Sequence, residues 1–102
     1  MSARLTEKEF SQHLNTSFQL KLDDQKVELE LVEVKGYLPQ AQEQTGMERF
    51  SVFFDGPGSV RLSQRLYALA HEQMGEFEIF LVPISGNEQG FRYEAVFNYF
   101  KK

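Results

Sequence analysis

The sequence predicts an all-β domain, an antiparallel six-stranded barrel or a two-sheet sandwich, with one short α-helix at its start. Apolar and polar residues alternate over most of the chain, turn-forming residues separate the alternating stretches, and no helical segment joins one strand to the next. Strands without crossover helices pair antiparallel. The 102 residues have the size of one domain, which we expect to span residues 1–102.

The helix is predicted over about residues 7–14. Thr6 and Glu9 have the spacing of a capping box, and Leu5 and Phe10 have that of a hydrophobic staple. Phe10 and Leu14 are four residues apart and would share one helix face. We expect this helix to cover an open end of the core.

The first hairpin is predicted from alternation on both sides of an Asp-Asp-Gln turn at residues 23–25. The alternation changes phase at Leu31 and Val32, where two apolar residues are adjacent. One extra residue in a strand produces such a shift, so we expect a β-bulge or a sharp bend there. The six predicted strands cover residues 17–22, 27–35, 48–55, 66–71, 76–84 and 91–100.

The segments between the later strands are rich in turn formers. The third strand is expected to end at the breaker run of residues 55–58, Asp-Gly-Pro-Gly, and the last hairpin to turn at residues 85–90. Residues 39–46 are polar and rich in glutamine, so we expect an exposed loop that contributes to partner contacts.

Composition argues against several classes of partner. The formal net charge of −4 disfavours nucleic acid and anionic lipid surfaces as partners. No cysteine is present, so disulfides and thiolate metal sites are excluded. The first twenty residues carry charges and no continuous apolar stretch, which predicts neither a secretory signal nor a membrane span. We expect a cytoplasmic protein without a cofactor.

The strongest functional indication lies in the last two strands. The chain contains ten phenylalanines, and residues 77–84 are apolar on both faces of the predicted strand. One face fills the core, so the other must meet the helix, a second copy or another protein. This favours a non-enzymatic interaction or assembly module whose partner is a second copy of the chain, in a homo-oligomer, or a larger assembly. The predicted partner-binding residues are Phe53, Phe80, Val82 and Phe100.

A small-ligand-binding barrel or minor hydrolase is the alternative function. In it, the imidazole of His71 acts as a general base at one end of the barrel. A histidine that ends a strand is more often structural, and no nucleophile stands at a matching spacing, so no catalytic residue is predicted. The ligand-binding set of this alternative is Tyr67, His71, Glu94 and Asn98.

Other patterns have simpler structural explanations. Glu28 with Glu30, and Glu76 with Glu78, could line an acidic stripe for a cation, yet charge that alternates with apolar residues is typical of a solvated sheet face. The only two histidines, His13 and His71, have no metal-ligand spacing, so no metal site is predicted. The glycines near Ser59 do not form a phosphate-binding motif.

Four segments together resemble a family of short bacterial proteins classed as a domain of unknown function. The segments are Phe54-Asp55-Gly56-Pro57 and residues 66–71, 75–83 and 93–98, and the resemblance extends over almost the whole chain. It implies a single domain and carries no catalytic residues. Some family members are encoded near phage tail proteins, so the resemblance also implies a role in a tail-like assembly.

Overall fold

The computed structural model describes residues 5–36, 47–87 and 89–100, with side chains described up to Phe97 in the last segment and from Arg49 in the middle one. Six strands form one closed antiparallel barrel in the order β1-β2-β3-β6-β5-β4. This confirms the all-β prediction and selects the barrel over the sandwich. The elements are α1 (Glu7–Ser11), β1 (Ser17–Leu22), β2 (Gln25–Gly36), β3 (Met47–Pro57), β4 (Arg65–His71), β5 (Gly75–Asn87) and β6 (Gly90–Phe100).

Helix α1 begins at the predicted cap and is shorter than predicted. The Thr6 hydroxyl accepts a hydrogen bond from the Glu9 backbone N–H at 3.0 Å. The helix ends at Ser11, because the chain turns through residues 12–15 and Asn15 takes a left-handed conformation with φ 67°. Leu14 is therefore partly exposed and does not share a buried helix face with Phe10.

The Phe10 side chain joins the helix to the barrel. It is fully buried, and its ring centroid lies between 5.5 and 6.5 Å from four other phenylalanine rings. Offset and edge-on ring contacts at these separations stabilise a core beyond the area that they bury. The four partners are Phe18, Phe50, Phe77 and Phe97.

The first hairpin contains both features that its sequence predicts. Asp23, with φ 51°, turns the chain between β1 and β2, and Leu22 pairs with Gln25 directly across the turn. The register between β2 and β3 shifts between Leu31 and Glu33, which confirms the predicted bulge. Strand β2 pairs with β1 from Gln25 to Glu30 and with β3 from Glu30 to Gly36.

Strand β3 continues to Pro57, two residues beyond the predicted end. Its ladder with β6 runs from Met47 opposite Phe100 to Pro57 opposite Gly90. The proline is tolerated because it lies at the last position of the strand, where the ladder with β2 has already ended at Asp55. Residues 39–46, predicted as an exposed loop, lie outside the described residues.

The last hairpin is longer than predicted and contains a second bulge. Strand β5 continues to Asn87, and its register with β6 shifts between Pro83 and Ser85. The Asn87 side-chain carbonyl accepts hydrogen bonds from the backbone N–H groups of Gln89 and Gly90, at 2.8 and 3.2 Å, and so holds the turn. Because the bulge adds one residue, side chains after Pro83 change face.

Strands β5 and β6 separate beyond their shared hairpin. Their ladder ends where Val82 pairs with Glu94, after which β5 pairs with β4 and β6 pairs with β3. We call the interval between β5 residues 75–81 and β6 residues 95–100 the β5–β6 split. The rings of Phe77 and Phe97 border it on the inside, and the Phe10 ring lies 6.0 and 5.5 Å from them. The Phe10 ring therefore closes the core behind the split.

Candidate functional site

Large apolar side chains remain exposed on the outside of the barrel. Leu66 is 53% exposed, Phe80 48% and Val96 62%, although polar residues would be expected at outward positions. Leu66 and Phe80 are register partners in neighbouring strands β4 and β5. Cross-strand partners stand close enough for their side chains to touch, so these two form one continuous apolar surface.

Two further apolar residues extend this surface. Val82 lies two positions after Phe80 on the same face of β5, and it pairs with Glu94 of β6. Glu94 in turn pairs with Phe53 of β3. Both Val82 and Phe53 are half-buried. We define the outer apolar patch as Phe53, Leu66, Phe80, Val82 and Val96.

The patch surrounds one carboxylate whose position is held by a neighbour. The Ser51 hydroxyl donates a hydrogen bond to Glu94 Oε2 at 2.7 Å, and Ser51 itself is fully buried. Hydrogen bonds to an ionised acceptor are stronger than those between neutral groups. Glu94 is therefore a fixed polar point within an apolar surface, the arrangement by which an interface gains orientation as well as affinity.

The structure brings three of the four predicted partner-binding residues to this surface. Phe53, Phe80 and Val82 all belong to the patch, whereas the Phe100 side chain lies outside the described residues. Sequence reasoning missed Leu66 and Val96. Their alternation with inward-facing Tyr67 and Ala95 places them on the outer face, but only the strand order shows that they adjoin Phe80 and Glu94.

The residues of the predicted ligand site do not converge. Tyr67 and His71 both point into the barrel, and their four-residue separation along β4 places them roughly 13 Å apart. Glu94 lies on the outer face beside Ser51, and the Asn98 side chain lies outside the described residues. Of the three described side chains, Tyr67 and His71 therefore lie at opposite ends of the interior, and Glu94 lies on the outside of the barrel.

His71 is held in a structural hydrogen-bond network. Its Nδ1 accepts hydrogen bonds from the backbone N–H groups of Gln73 and Met74, at 3.0 and 3.1 Å. The neutral ring therefore carries its proton on Nε2, which donates to the Thr16 hydroxyl at 3.0 Å. Burial, and then the charge of nearby His13, lower the pKa of His71. Both nitrogens are already engaged, so neither is free to serve as a general base.

Two tyrosines organise the opposite end of the interior. The Tyr93 hydroxyl accepts a hydrogen bond from the Leu62 backbone N–H at 3.0 Å, and the Tyr67 hydroxyl donates to the Ser63 carbonyl at 2.7 Å. Burial is the main cause that raises the pKa of Tyr93. Both hydroxyls tie the segment between β3 and β4 to the barrel, which is a structural role.

Two shallow grooves flank the β5–β6 hairpin. One, with a volume of about 390 Å³, includes Asp55 and Arg92, and the other, of about 340 Å³, includes Arg61 and Ile84. Arg92 Nε and Nη2 donate to the two carboxylate oxygens of Asp55 at 2.7 and 3.2 Å, and this pairing raises the pKa of Arg92. The cation and the anion satisfy each other, so the first groove presents no free charge from this pair.

Within the described part of the chain, neither a metal-binding cluster nor a membrane-spanning helix is present. Among residues 5–36, 47–87 and 89–100, no group of three or more His, Cys, Asp or Glu side chains could hold a metal ion. No helix formed by these residues has the length and apolar character that a membrane crossing requires.

Comparison with models of protein families matches residues 5–97 to one family, described as a domain of unknown function (DUF6916). Neither the curated proteins nor the solved structures contain a significant match. The family match covers the helix and all of the barrel except the last three residues of β6, and its description names no activity, ligand or partner.

Proposed function

Because the chain belongs to the DUF6916 family of unknown function, we propose a function from the outer apolar patch: a non-enzymatic module that docks on another protein through this face of the barrel. The observation that carries the proposal is the adjacency of Leu66 and Phe80, both about half exposed, on neighbouring strands. Contiguous exposed apolar surface, rimmed by polar residues, is typical of protein–protein contact sites.

Energetics support the use of this face. Full burial of a leucine or phenylalanine side chain contributes roughly 1.5 to 3 kcal/mol, so covering a half-exposed one contributes about half of that. Leu66, Phe80 and Val96 together would contribute on the order of 3 kcal/mol, with Phe53 and Val82 adding less. An aromatic side chain near the middle of such a patch is the usual energetic centre of an interface.

The alternative function, a ligand-binding or hydrolytic site around His71, gains no support from the described contacts, because both ring nitrogens are engaged within the fold. A role in a bacterial, phage tail-like assembly rests on family resemblance alone and is compatible with a docking module. We propose the cytoplasm as its compartment, as the sequence suggests.

Site-specific photocrosslinking tests the proposal. Benzoylphenylalanine in place of Phe80 should form a covalent adduct with another protein, when it is expressed and irradiated in the cells that naturally make this chain. The matched control places the same residue at Ile84, which is 46% exposed on the same strand, is the unpaired residue of the bulge and lies outside the patch. Adducts of equal yield at both positions, or none at position 80, would refute the proposal.

A charge substitution provides the second arm. Phe80→Glu should reduce the yield of adducts from a benzoylphenylalanine at position 66 by at least tenfold, because a carboxylate would have to be desolvated against the partner. Its far-ultraviolet circular dichroism should remain that of a β-protein, since the side chain is outward-facing. Loss of folded structure would assign Phe80 to the core and contradict the docking role.

A further inference from the structure

The β5–β6 split leaves two strand edges without partners in the barrel. Residues 75–81 of β5 are paired with β4 on one side, and residues 95–100 of β6 are paired with β3 on one side. Within the described residues, no ladder joins these two segments, and no backbone hydrogen bond outside the ladders reaches either of them. Each edge therefore has backbone N–H and C=O groups that no ladder of the barrel pairs.

Open strand edges are templates for pairing with another chain. Small barrels ordinarily remove such edges by closing. This barrel closes between β1 and β4 through three residue pairs, whereas residues 75–81 of β5 have no partner on the β6 side. The split does not open the core, because the Phe10 ring lies behind it, between Phe77 and Phe97. An added strand could therefore dock without disturbing the interior.

The outer face of the β5 edge carries a defined order of side chains. Glu76, Glu78 and Phe80 are consecutive outward-facing residues, and all three are exposed. Val96 projects from β6 on the outer side, two residues beyond the end of the ladder at Glu94. The split thus presents two carboxylates at one end and apolar side chains at the other.

We propose that the β5–β6 split binds an extended segment of another protein, which adds a strand to the edge of β5 and carries Lys or Arg beside Glu76 and Glu78 and an apolar side chain beside Phe80. This inference rests on the proposed docking function and names the chemistry of the partner. Side chains on neighbouring strands meet in register, so backbone pairing supplies affinity and the alternation supplies specificity.

Charge complementarity decides between this occupant and a second copy of the chain. Two copies meeting at their β5 edges would bring Glu76 and Glu78 of each together, in a chain whose formal net charge is already −4. Like charges opposite each other destabilise a strand pair. Among the residues that the structure describes, the one ion pair on this face joins Lys21 to Glu76 at 3.7 Å, and both side chains of that pair are largely exposed. Such a pair is weak and exchanges readily with an incoming cation.

Three blocked eight-residue peptides test the proposal, each labelled with a fluorophore. All have valine at every second position, and the intervening positions hold lysine, threonine or glutamate. We expect fluorescence anisotropy to show the strongest binding for the lysine peptide and at least tenfold weaker binding for the glutamate peptide. The difference should shrink as salt is raised, because exposed charges are screened. Equal binding of the three peptides, or none by the lysine peptide, would overturn the inference.

Charge reversal and hydrogen exchange locate the peptide. Glu78→Lys should weaken binding of the lysine peptide and improve that of the glutamate peptide, while the matched change Glu28→Lys on β2 should do neither. In the free protein, some backbone amides of residues 75–81 and 95–97 should exchange rapidly, and the lysine peptide should protect those of β5. Protection of every such amide in the free protein would show that the edge is already paired and would overturn the inference.

The two proposals can fail separately. If benzoylphenylalanine at position 80 forms protein adducts but no peptide binds, the docking function stands and the strand-addition inference is wrong. If the peptide binds as expected and position 80 forms no adducts in cells, the docking function is wrong although the edge is competent. Adducts at position 80 that contain only a second copy of this chain would overturn the choice of a basic segment as occupant.

Discussion

His71 donates a hydrogen bond from Nε2 to the hydroxyl oxygen of Thr16 across 3.0 Å, joining the end of β4 to the segment that follows helix α1. The same hydroxyl donates to the His13 carbonyl at 2.6 Å, so each polar atom in this chain of contacts has a partner. The ring of His71 also lies 4.6 Å from that of His13 and 4.3 Å from that of Phe18. The histidine therefore fastens the helical turn to the barrel end.

Stability should fall in mild acid because of His71. Burial, and then the charge of nearby His13, lower the pKa of His71 below 6.5, the ordinary value for a histidine side chain, while Glu72 acts in the opposite direction. The unfolded chain then takes up the proton first, so the contribution is complete above pH 6.5 and is lost as the pH falls from there towards the lowered pKa. Protonated Nδ1 also can no longer accept from Gln73 and Met74. Urea unfolding at pH 7.5 and pH 5.0 measures the effect.

The His71→Gln variant is the control for that pH dependence. It should be less stable than the parent at pH 7.5, because it lacks the Nδ1 acceptor, and its stability should change less between the two pH values. An unchanged pH profile in this variant would assign the acid sensitivity to another group.

Phe10→Ala should be among the most destabilising single changes. It removes a fully buried ring that contacts four other phenylalanines, and such truncations reduce the free energy of unfolding by about 3 to 5 kcal/mol. Leu14→Ala, at a partly exposed position just beyond the helix, should change it by about 0.5 kcal/mol or less. Chemical denaturation of both variants provides the comparison, and similar losses would argue that α1 does not close the core.

Tyr93→Phe should destabilise the barrel through one lost acceptor. The Leu62 N–H is buried and donates to the Tyr93 hydroxyl, so removal of that oxygen leaves the N–H without an acceptor. An unsatisfied buried donor reduces the free energy of unfolding by about 1 to 3 kcal/mol. Tyr67→Phe is a matched control, because the Ser63 carbonyl belongs to an exposed residue that water can solvate. Thermal unfolding should therefore show the larger decrease for Tyr93→Phe, and the reverse order would contradict the assigned roles.

Gly90→Ala should be more harmful than Gly36→Ala. A Cβ at Gly90 would lie 2.7 Å from the backbone carbonyl oxygen of Gly56 on the paired strand β3, which cannot move without disturbing the ladder. A Cβ at Gly36 meets the carboxylate end of Glu7 at 2.6 Å, and a flexible side chain can turn away.

The expected losses are about 1 to 3 kcal/mol at Gly90 and less than about 1 kcal/mol at Gly36, measured by urea unfolding. A loss at Gly36 as large as that at Gly90 would mean that the Glu7 carboxylate is fixed in place.

The local features of the fold were predictable because they depend on neighbours in sequence. Thr6 caps α1 through an N–H three residues away, and the bulge after Leu31 follows from two adjacent apolar residues in an alternating pattern. The end of α1 was not predictable from the spacing of Phe10 and Leu14. There the left-handed conformation of Asn15 and the contacts of Thr16 with the barrel outweigh a weak helical preference.

The candidate site was predictable only in part. An apolar run on both faces of β5 indicated an outward-facing aromatic residue, and Phe80 has that position. The adjacency of Leu66, the Ser51–Glu94 hydrogen bond and the Asp55–Arg92 pair all join residues from different strands. Cross-strand partners depend on strand order and register, which alternation within single strands does not specify.

By itself, the sequence determined an all-β chain with a capped N-terminal helix, the approximate strands and the excess of apolar surface on β5, because each of these follows from short-range periodicity. Only the tertiary structure decided that the sheet closes as a barrel, that both ring nitrogens of His71 are hydrogen-bonded within the fold, and that β5 and β6 separate beyond Val82 and Glu94. These features depend on contacts between residues far apart in the chain, and such contacts form only when all six strands pack together.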